Sequence, residues 1–113
     1  MIQKRVEWIG SSLHDLRNFP SETQDILGRD LQRVQRGEQP KDYKPMPTVG
    51  AGVLEIRSHA KTEHRLMYIA KFAEAIYVLH VFEKRTRKTA QRDIEIARRR
   101  LAEVVRQRQA PPQ

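Results

Sequence analysis

Basic side chains stand at the ends of three apolar segments in the second half of the chain. Guanidinium groups keep a permanent charge and match phosphate oxygens bidentately, so several of them together could bind a phosphodiester. The same group could stabilise the extra negative charge of a pentacovalent transition state. The pattern therefore predicts phosphate chemistry at these candidate catalytic residues, which are Arg57, Arg65, Lys84 and Arg85.

A second interpretation of the same residues involves no site at all. Nearby carboxylates could neutralise both arginines, with Arg57 pairing to Glu55 or Glu63 and Arg65 pairing to Glu74 or Glu83. Spacing alone leaves both interpretations open.

The apolar segments that carry these cations have the pattern of strands. Val53–Arg57 alternates, with Leu54 and Ile56 on one face and Glu55 and Arg57 on the other. Residues 64–70 form a second strand, and residues 76–82, apolar on both faces, form a third that we expect to be central. The links between them are short enough for antiparallel hairpins, which would place Arg57 near Arg65.

The remaining elements follow from turn residues and helical spacing. A short strand covers residues 6–9, a brief helix begins at Ser11 or Ser12, and a longer helix runs from Pro20 to Gly37. Residues 38–50 contain three prolines and are expected to be a connector, and a final amphipathic helix follows Ala90. The sequence thus predicts a β-α-α-β-β-β-α order: an α+β domain over residues 1–108, with an antiparallel sheet, one helix packed back on it and a disordered tail over 109–113.

The positive charge is concentrated near the C-terminus. The 113 residues carry a net charge of +8, yet residues 1–83 have 12 Lys and Arg against 11 Asp and Glu, while residues 84–113 have 10 against 3. A localised basic patch is typical of a polyphosphate partner, although a solvated helix or a site for an acidic protein would look the same. The candidate residues for binding RNA or the ribosome are Arg87, Lys88, Arg92, Arg98, Arg99 and Arg100.

Several classes of protein are excluded by composition. With no cysteine, the chain cannot be a disulfide scaffold, a zinc finger or a thiol enzyme. The four histidines have no metal-ligand spacing, so we expect no metal and no cofactor; His80 is expected to be a satisfied core histidine, and His59 lies in a hairpin loop. No apolar run approaches a membrane span, and the N-terminus has no secretory apolar region, which predicts a cytoplasmic protein without a membrane partner.

Three motifs in order resemble a known family. They are Val53-Leu54-Glu55-Ile56-Arg57, His64-Arg65-Leu66-Met67-Tyr68, and Leu79-His80-Val81-Phe82-Glu83-Lys84-Arg85-Thr86. The series resembles the phage-derived, HigB-like branch of the RelE/ParE toxin superfamily, which typically has E-L-R, then Y-R-V-x-Y, then L-H-x-F-x-K-K-T. The resemblance covers roughly residues 4–105, nearly the whole chain.

The resemblance implies a compact RelE-like toxin of a type II toxin–antitoxin pair, which enters the ribosomal A site and cleaves mRNA there. Its expected partners are a helix-turn-helix antitoxin, mRNA and the ribosome. The expected reaction is attack of the RNA 2′-OH on the adjacent phosphate. Arg57 and Arg65 then clamp the phosphate, and Lys84 and Arg85 orient the RNA or the leaving oxygen.

The chain departs from the RelE pattern at the positions that would supply a base. Glu55 stands where many RelE-type enzymes have lysine, and residues 89–91 contain no tyrosine. Glu55 and His59 are the candidate bases, and positioning with electrostatics could supply much of the catalysis. Two alternatives remain: a ParE-like inhibitor of DNA gyrase with the same fold and no nuclease site, or a non-enzymatic basic binding module.

Overall fold

A computed structural model describes residues 3–111, so that Met1, Ile2, Pro112 and Gln113 lie outside the described part of the chain. Eight elements follow one another. They are β1 (Val6–Trp8), α1 (Ser12–Arg17), α2 (Ser21–Gln35), β2 (Tyr43–Pro45), β3 (Val53–Ser58), β4 (His64–Ile69), β5 (Ile76–Glu83) and α3 (Gln91–Gln109).

The five strands form one sheet in the order β1-β5-β4-β3-β2. The predicted hairpins are confirmed, since β3, β4 and β5 pair antiparallel, and Arg57 is the register partner of Arg65. The sheet is mixed rather than purely antiparallel, because β1 pairs in parallel with β5. The predicted α+β class is confirmed, and the parallel pairing of β1 is a feature that the sequence did not predict.

The predicted connector contains a strand that the sequence did not indicate. β2 pairs antiparallel with β3 and places Lys44 opposite Glu55. The three prolines of residues 38–50 argued against a strand in this segment. Proline is nevertheless tolerated on an edge strand, because one side of that backbone has no hydrogen-bond partner. Pro45 ends β2, and β2 forms the edge of the sheet.

Helices cover both faces of the sheet. The helices α1 and α2 pack on one face and α3 on the other, so the expectation of a single packed helix was incomplete. Both β4 and β5 are buried on both faces, which confirms the internal position expected for β5. The core facing α2 includes Leu27, Leu31, Ile56, Leu66 and Val78, and the core facing α3 includes Val53, Met67, Leu79, Ala97 and Val104.

A bulge in β5 brings two consecutive residues toward α3. Met67 pairs with His80 and Tyr68 with Val78, so Leu79 is the extra residue on its strand. Leu79 joins the core beneath α3, and His80 bonds Asp93 of the same helix. The bulge therefore places a histidine beside the N-terminal end of α3.

The C-terminal helix extends further than expected. Gln109 is its last residue, although it was expected to begin a disordered tail, and Ala110 is extended. Pro112 and Gln113 of that expected tail lie outside the described residues. Over residues 3–111, every helix is too short or too polar to cross a lipid bilayer.

Candidate functional site

A buried glutamate lies among four basic side chains on the α3 face of the sheet. Glu55 is completely buried in the middle of β3, and neither of its carboxylate oxygens has a hydrogen-bond partner among the described residues. Burial raises the pKa of Glu55, and nearby positive charges oppose that rise. We call these cations the cation cluster; they are Arg65, Lys44, Arg57 and Lys84.

Strand register accounts for the cluster. Lys44 is opposite Glu55, and Arg57 is opposite Arg65, so β2, β3 and β4 each present a charged side chain to the same face. Lys84 follows β5, and its backbone N–H donates to the carbonyl of Glu63 at 2.7 Å. Counted with Glu55 and with Glu63 and Asp42, the carboxylates that lie against Arg65 and Arg57, the four cations leave a net charge of +1.

Arg65 is the buried member of the cluster. Its exposure is 2%, although the resemblance implied that it clamps a phosphate from solution. Its guanidinium donates to Glu63 Oε1 at 2.8 Å and to the His64 carbonyl at 3.0 Å, and its Nε lies 3.4 Å from Glu55 Oε1. A buried arginine requires such acceptors, because an unpaired buried charge is costly. Arg65 is therefore the buried residue that connects Glu55 to Glu63 at the centre of the cluster.

Arg57 remains partly accessible, with 32% of its side chain exposed. Its carboxylate partner is Asp42, at 3.8 Å from Nη1, rather than Glu55 or Glu63. The Nε of Arg57 has no hydrogen-bond partner among residues 3–111. That Nε is buried, so an added anion would meet the exposed part of the side chain rather than this atom.

Lys84 and Arg85, adjacent in sequence, diverge in space. Lys84 is half-buried, and its Nζ donates to the Arg87 carbonyl at 2.8 Å. Burial lowers the pKa of Lys84, and the neighbouring charges of Arg65 and Lys44 lower it further. The Arg85 side chain is 82% exposed and pairs with Glu83 at 2.7 Å. The structure brings Lys84 to the cation cluster and leaves Arg85 largely in solvent, although both side chains line one pocket at the end of β5.

His59 bridges the carboxylates that hold the two arginines. Its Nε2 lies 2.5 Å from Asp42 Oδ2, and its Nδ1 lies 2.8 Å from Glu63 Oε1. Hydrogen bonds to Glu63 and Asp42 raise the pKa of His59. A carboxylate within hydrogen-bond distance of each nitrogen favours the protonated ring. The geometry thus makes His59 a connection between Asp42 and Glu63, and its role as a base stays a prediction.

The cations of the C-terminal helix and the loop before it fall into two groups. No ion pair within residues 3–111 involves Arg87, Lys88, Arg92 or Arg99, all of which are exposed. Arg98 is also exposed, but it donates to the Thr48 carbonyl at 2.6 Å. Arg100 is half-buried and donates to the Leu79 carbonyl and to Ser11 Oγ, each at 3.0 Å, so its role in RNA binding is not supported by its position.

Two residues of the site were missed because they lie in the proline-rich segment. Lys44 belongs to the cluster, and Asp42 pairs with both Arg57 and His59. A signal was present: Tyr43-Lys44-Pro45 precedes a strand and contains an aromatic residue that favours extended structure. Among residues 3–111, no three histidine or carboxylate side chains are placed to hold a metal ion.

The fold is a small α+β domain of the RelE-like class, in which a five-stranded mixed sheet has helices on both faces and a helix at the C-terminal end. A family model described as "Phage derived protein Gp49-like (DUF891)" matches residues 14–102. The chain belongs to this family, which is part of the RelE/HigB-like group of toxins. No curated protein matches the chain significantly. The resemblance is confirmed at the level of a phage-derived, toxin-like family, and the particular HigB-like branch stays a prediction.

Proposed function

We propose that the protein is the toxin of a type II toxin–antitoxin pair and cleaves mRNA on the ribosome. The observation that carries this proposal is the cation cluster around Glu55, which three neighbouring strands and the residue after β5 assemble within a toxin-like family. Four cations against the carboxylates of Glu55, Glu63 and Asp42 leave a net positive charge, which favours binding of an anion.

The reaction proposed is a transesterification within the RNA. The 2′-oxygen attacks the adjacent phosphorus, a new O–P bond forms and the bond to the 5′-oxygen breaks, leaving a 2′,3′-cyclic phosphate and a 5′-hydroxyl. Arg57, Lys44 and Lys84 are the accessible cations that bind the phosphate oxygens. Arg65 is a positioning residue, since its contacts are to Glu63, His64 and Glu55.

Proton transfer is assigned to Glu55 and Lys84, because their surroundings move the two pKa values toward each other. Burial raises the pKa of Glu55, which makes it a stronger base, and burial lowers the pKa of Lys84, which makes it a stronger acid. Glu55 therefore accepts the proton of the 2′-hydroxyl, and Lys84 donates a proton to the leaving 5′-oxygen. Glu55 is fully buried in the free protein, so this role requires that Lys44 and Arg57 move when a phosphate binds.

The exposed cations near and within α3 are proposed to bind ribosomal RNA. Arg87, Lys88 and Arg99 have no carboxylate partner among the described residues, which favours a phosphate partner outside the chain. A helix-turn-helix antitoxin in the same cytoplasm is the partner that the toxin class implies. Its acidic residues would compete for these cations.

The proposal is tested by expressing the protein from a tightly regulated promoter without an antitoxin. We expect growth arrest, loss of protein synthesis and new mRNA 5′ ends within codons, with Lys84→Met as the inactive control at equal soluble level. DNA damage without mRNA cleavage would instead support the gyrase inhibitor. Unimpaired growth at verified expression of the wild type would contradict any toxin.

A further inference from the structure

A pocket of about 380 Å³ lies beside the cation cluster, between the end of β5, the loop after it and the first turns of α3. We call it the His80 pocket. Its volume is within the range of small-molecule sites. Its floor and rim include Phe82 and Ile96, which are apolar, together with His80, Asp93, Lys84 and Arg92.

His80 is the unusual residue of this pocket. It is 6% exposed, its Nε2 lies 2.7 Å from Asp93 Oδ1, and its ring stacks on Phe82 at 4.8 Å between centroids. Its Nδ1 is buried and has no hydrogen-bond partner among residues 3–111. The sequence predicted a satisfied core histidine, and the structure satisfies only one of its two nitrogens. An ionised Asp93 can only accept, so the contact places a proton on Nε2; burial lowers the pKa of His80 and favours the neutral ring, in which Nδ1 is an acceptor.

Other residues that line the His80 pocket offer surfaces for stacking and a positive charge. Ile96 supplies an apolar contact, and Arg92 is an exposed guanidinium with no ion pair in the described chain. Arginine planes and aromatic rings are the surfaces on which single-stranded bases stack, and buried polar atoms read their edges. A purely anionic ligand would leave Ile96, Phe82 and the acceptor of His80 without a role.

The pocket shares a residue with the cation cluster. Lys84 lines the His80 pocket and also lies among the charges around Glu55. Phe82, another lining residue, is the register partner of Arg65. A phosphate bound at Lys84 therefore has the pocket directly beside it on the same face of the sheet.

We propose that the His80 pocket binds the nucleobase on the 3′ side of the scissile phosphate in single-stranded RNA. This rests on the proposed function, in which Lys84 protonates the leaving 5′-oxygen, because that oxygen belongs to the downstream nucleotide. The base stacks against Arg92 and Ile96, and an N–H of the base donates to His80 Nδ1 after a small movement of the ring. The pocket then contributes to the choice of cleavage position.

The test uses the full-length chain and small probes, so it does not require cleavage. Binding of the four ribonucleoside 5′-monophosphates, ribose 5-phosphate and inorganic phosphate is measured by amide chemical shifts in ¹⁵N-labelled protein. We expect at least one nucleotide to bind about five- to tenfold more tightly than ribose 5-phosphate, which is the lower end of the range for a single stacked base. The shifts should centre on residues 80–96.

Three variants isolate the pocket. Ile96→Phe narrows it, and Arg92→Gln removes a stacking plane, so both should abolish the preference for the nucleotide over ribose 5-phosphate. The matched control is Arg99→Gln, an equally exposed arginine about 10 Å further along the same helix face, which should keep the preference. Circular dichroism verifies the fold of each variant.

The outcomes separate this proposal from the proposed function. Equal affinity for nucleotides and ribose 5-phosphate in the wild type would overturn the base pocket, even if mRNA is cleaved. An unchanged nucleotide preference in folded Ile96→Phe and Arg92→Gln would also overturn it. Nucleotide selectivity that these variants abolish, in a protein that cleaves no ribosome-bound mRNA, would support the pocket and overturn the nuclease.

Discussion

Arginines in two regions of this molecule differ in what surrounds them. At the hairpin of β3 and β4, Arg57 and Arg65 lie among Asp42, Glu55 and Glu63, and Arg65 is buried. Near the C-terminus, Arg87, Arg92 and Arg99 face solvent without an ion pair in the described chain. Similar residues are thus held in fixed positions in one region and left free in the other.

Burial and carboxylate partners, more than charge, determine what an arginine can do in this molecule. A guanidinium bonded to carboxylates is held in one geometry, which suits an electrostatic site that must be organised before its substrate arrives. An exposed guanidinium has weak geometric constraints and suits contact with a phosphate backbone. Arg100 and Arg108 follow the same rule within α3, since Arg100 bonds Leu79 and Ser11, and Arg108 pairs with Glu74 and lies over the Phe72 ring.

The largest expected effect is on stability. Arg65→Ala leaves Glu55 and its charge without the nearest partner in a buried position, so we expect the free energy of unfolding to fall by about 3–5 kcal/mol in urea titrations. The double variant Arg65→Met with Glu55→Leu removes both charges and should recover most of that loss. Wild-type stability of Arg65→Ala would contradict the assignment of Arg65 as an organising residue.

The next effect separates two neighbours that the sequence treats alike. Lys84→Met removes a cation of the cluster and the proposed proton donor, and should lower the rate of mRNA cleavage by about 10²–10³. Arg85→Gln is the comparison, because that side chain borders the His80 pocket but is exposed and paired with Glu83, and its loss should lower the cleavage rate by no more than a few-fold. Equal losses in the two variants would place the site differently.

A smaller effect is expected from the exposed helix. Replacing Arg99 with glutamine should weaken ribosome binding and reduce the log–log dependence of the affinity on salt by about one unit, because one phosphate loses its cationic partner. Stability should change by less than about 0.5 kcal/mol. Arg100→Gln should do the reverse, losing stability and keeping the salt dependence. Ribosome affinity that is unchanged at every salt concentration, together with weakened antitoxin binding, would identify the surface as the antitoxin site.

The smallest effect depends on pH. The pKa of His59 is raised in the folded protein, so the stability from its bridge is complete below the unfolded pKa of about 6.5 and is lost as pH rises through the higher folded pKa. His59 and its two carboxylate partners are solvent-exposed, so their contribution to the free energy of unfolding should stay within about 1 kcal/mol. Unfolding of wild type against His59→Gln from pH 5 to 9 should therefore show a difference that shrinks above about pH 6.5.

A control for that titration is His14→Gln, which removes an exposed histidine bonded to Asn18 and not to a carboxylate. It should follow the wild-type curve. A difference between wild type and His59→Gln that grows with rising pH would show that the bridge does not depend on a protonated ring.

Most of the fold could be predicted from local pattern. Alternation located β3, and continuous apolar runs located β4 and β5, each within one residue at its ends. β2 was missed because its stability comes from pairing with β3 rather than from its own residues, and Pro45 obscured it. The parallel pairing of β1 was missed for the same reason, since three residues carry no information about which strand they meet.

The candidate site was predicted only in part, because side-chain partners are set by tertiary structure. Alternation correctly placed Glu55 and Arg57 on one face and brought Arg65 opposite Arg57. It could not show that Arg65 is buried, that Lys84 and Arg85 diverge, or that Asp42, seventeen residues before His59 in the chain, bonds that histidine. Such partners depend on which loops cover the sheet edge, and local spacing does not contain that information.

Cleavage of RNA on the ribosome by the cation cluster around Glu55 can be tested directly with purified components. The measurement incubates the protein with ribosome-bound mRNA and determines the chemistry of the new ends, comparing wild type with Lys84→Met and Arg85→Gln. We expect 2′,3′-cyclic phosphate and 5′-hydroxyl ends from wild type and Arg85→Gln, with Lys84→Met slower by about 10²–10³. Intact mRNA with folded wild-type protein bound to the ribosome, or equal cleavage by Lys84→Met, would contradict a catalytic cation cluster.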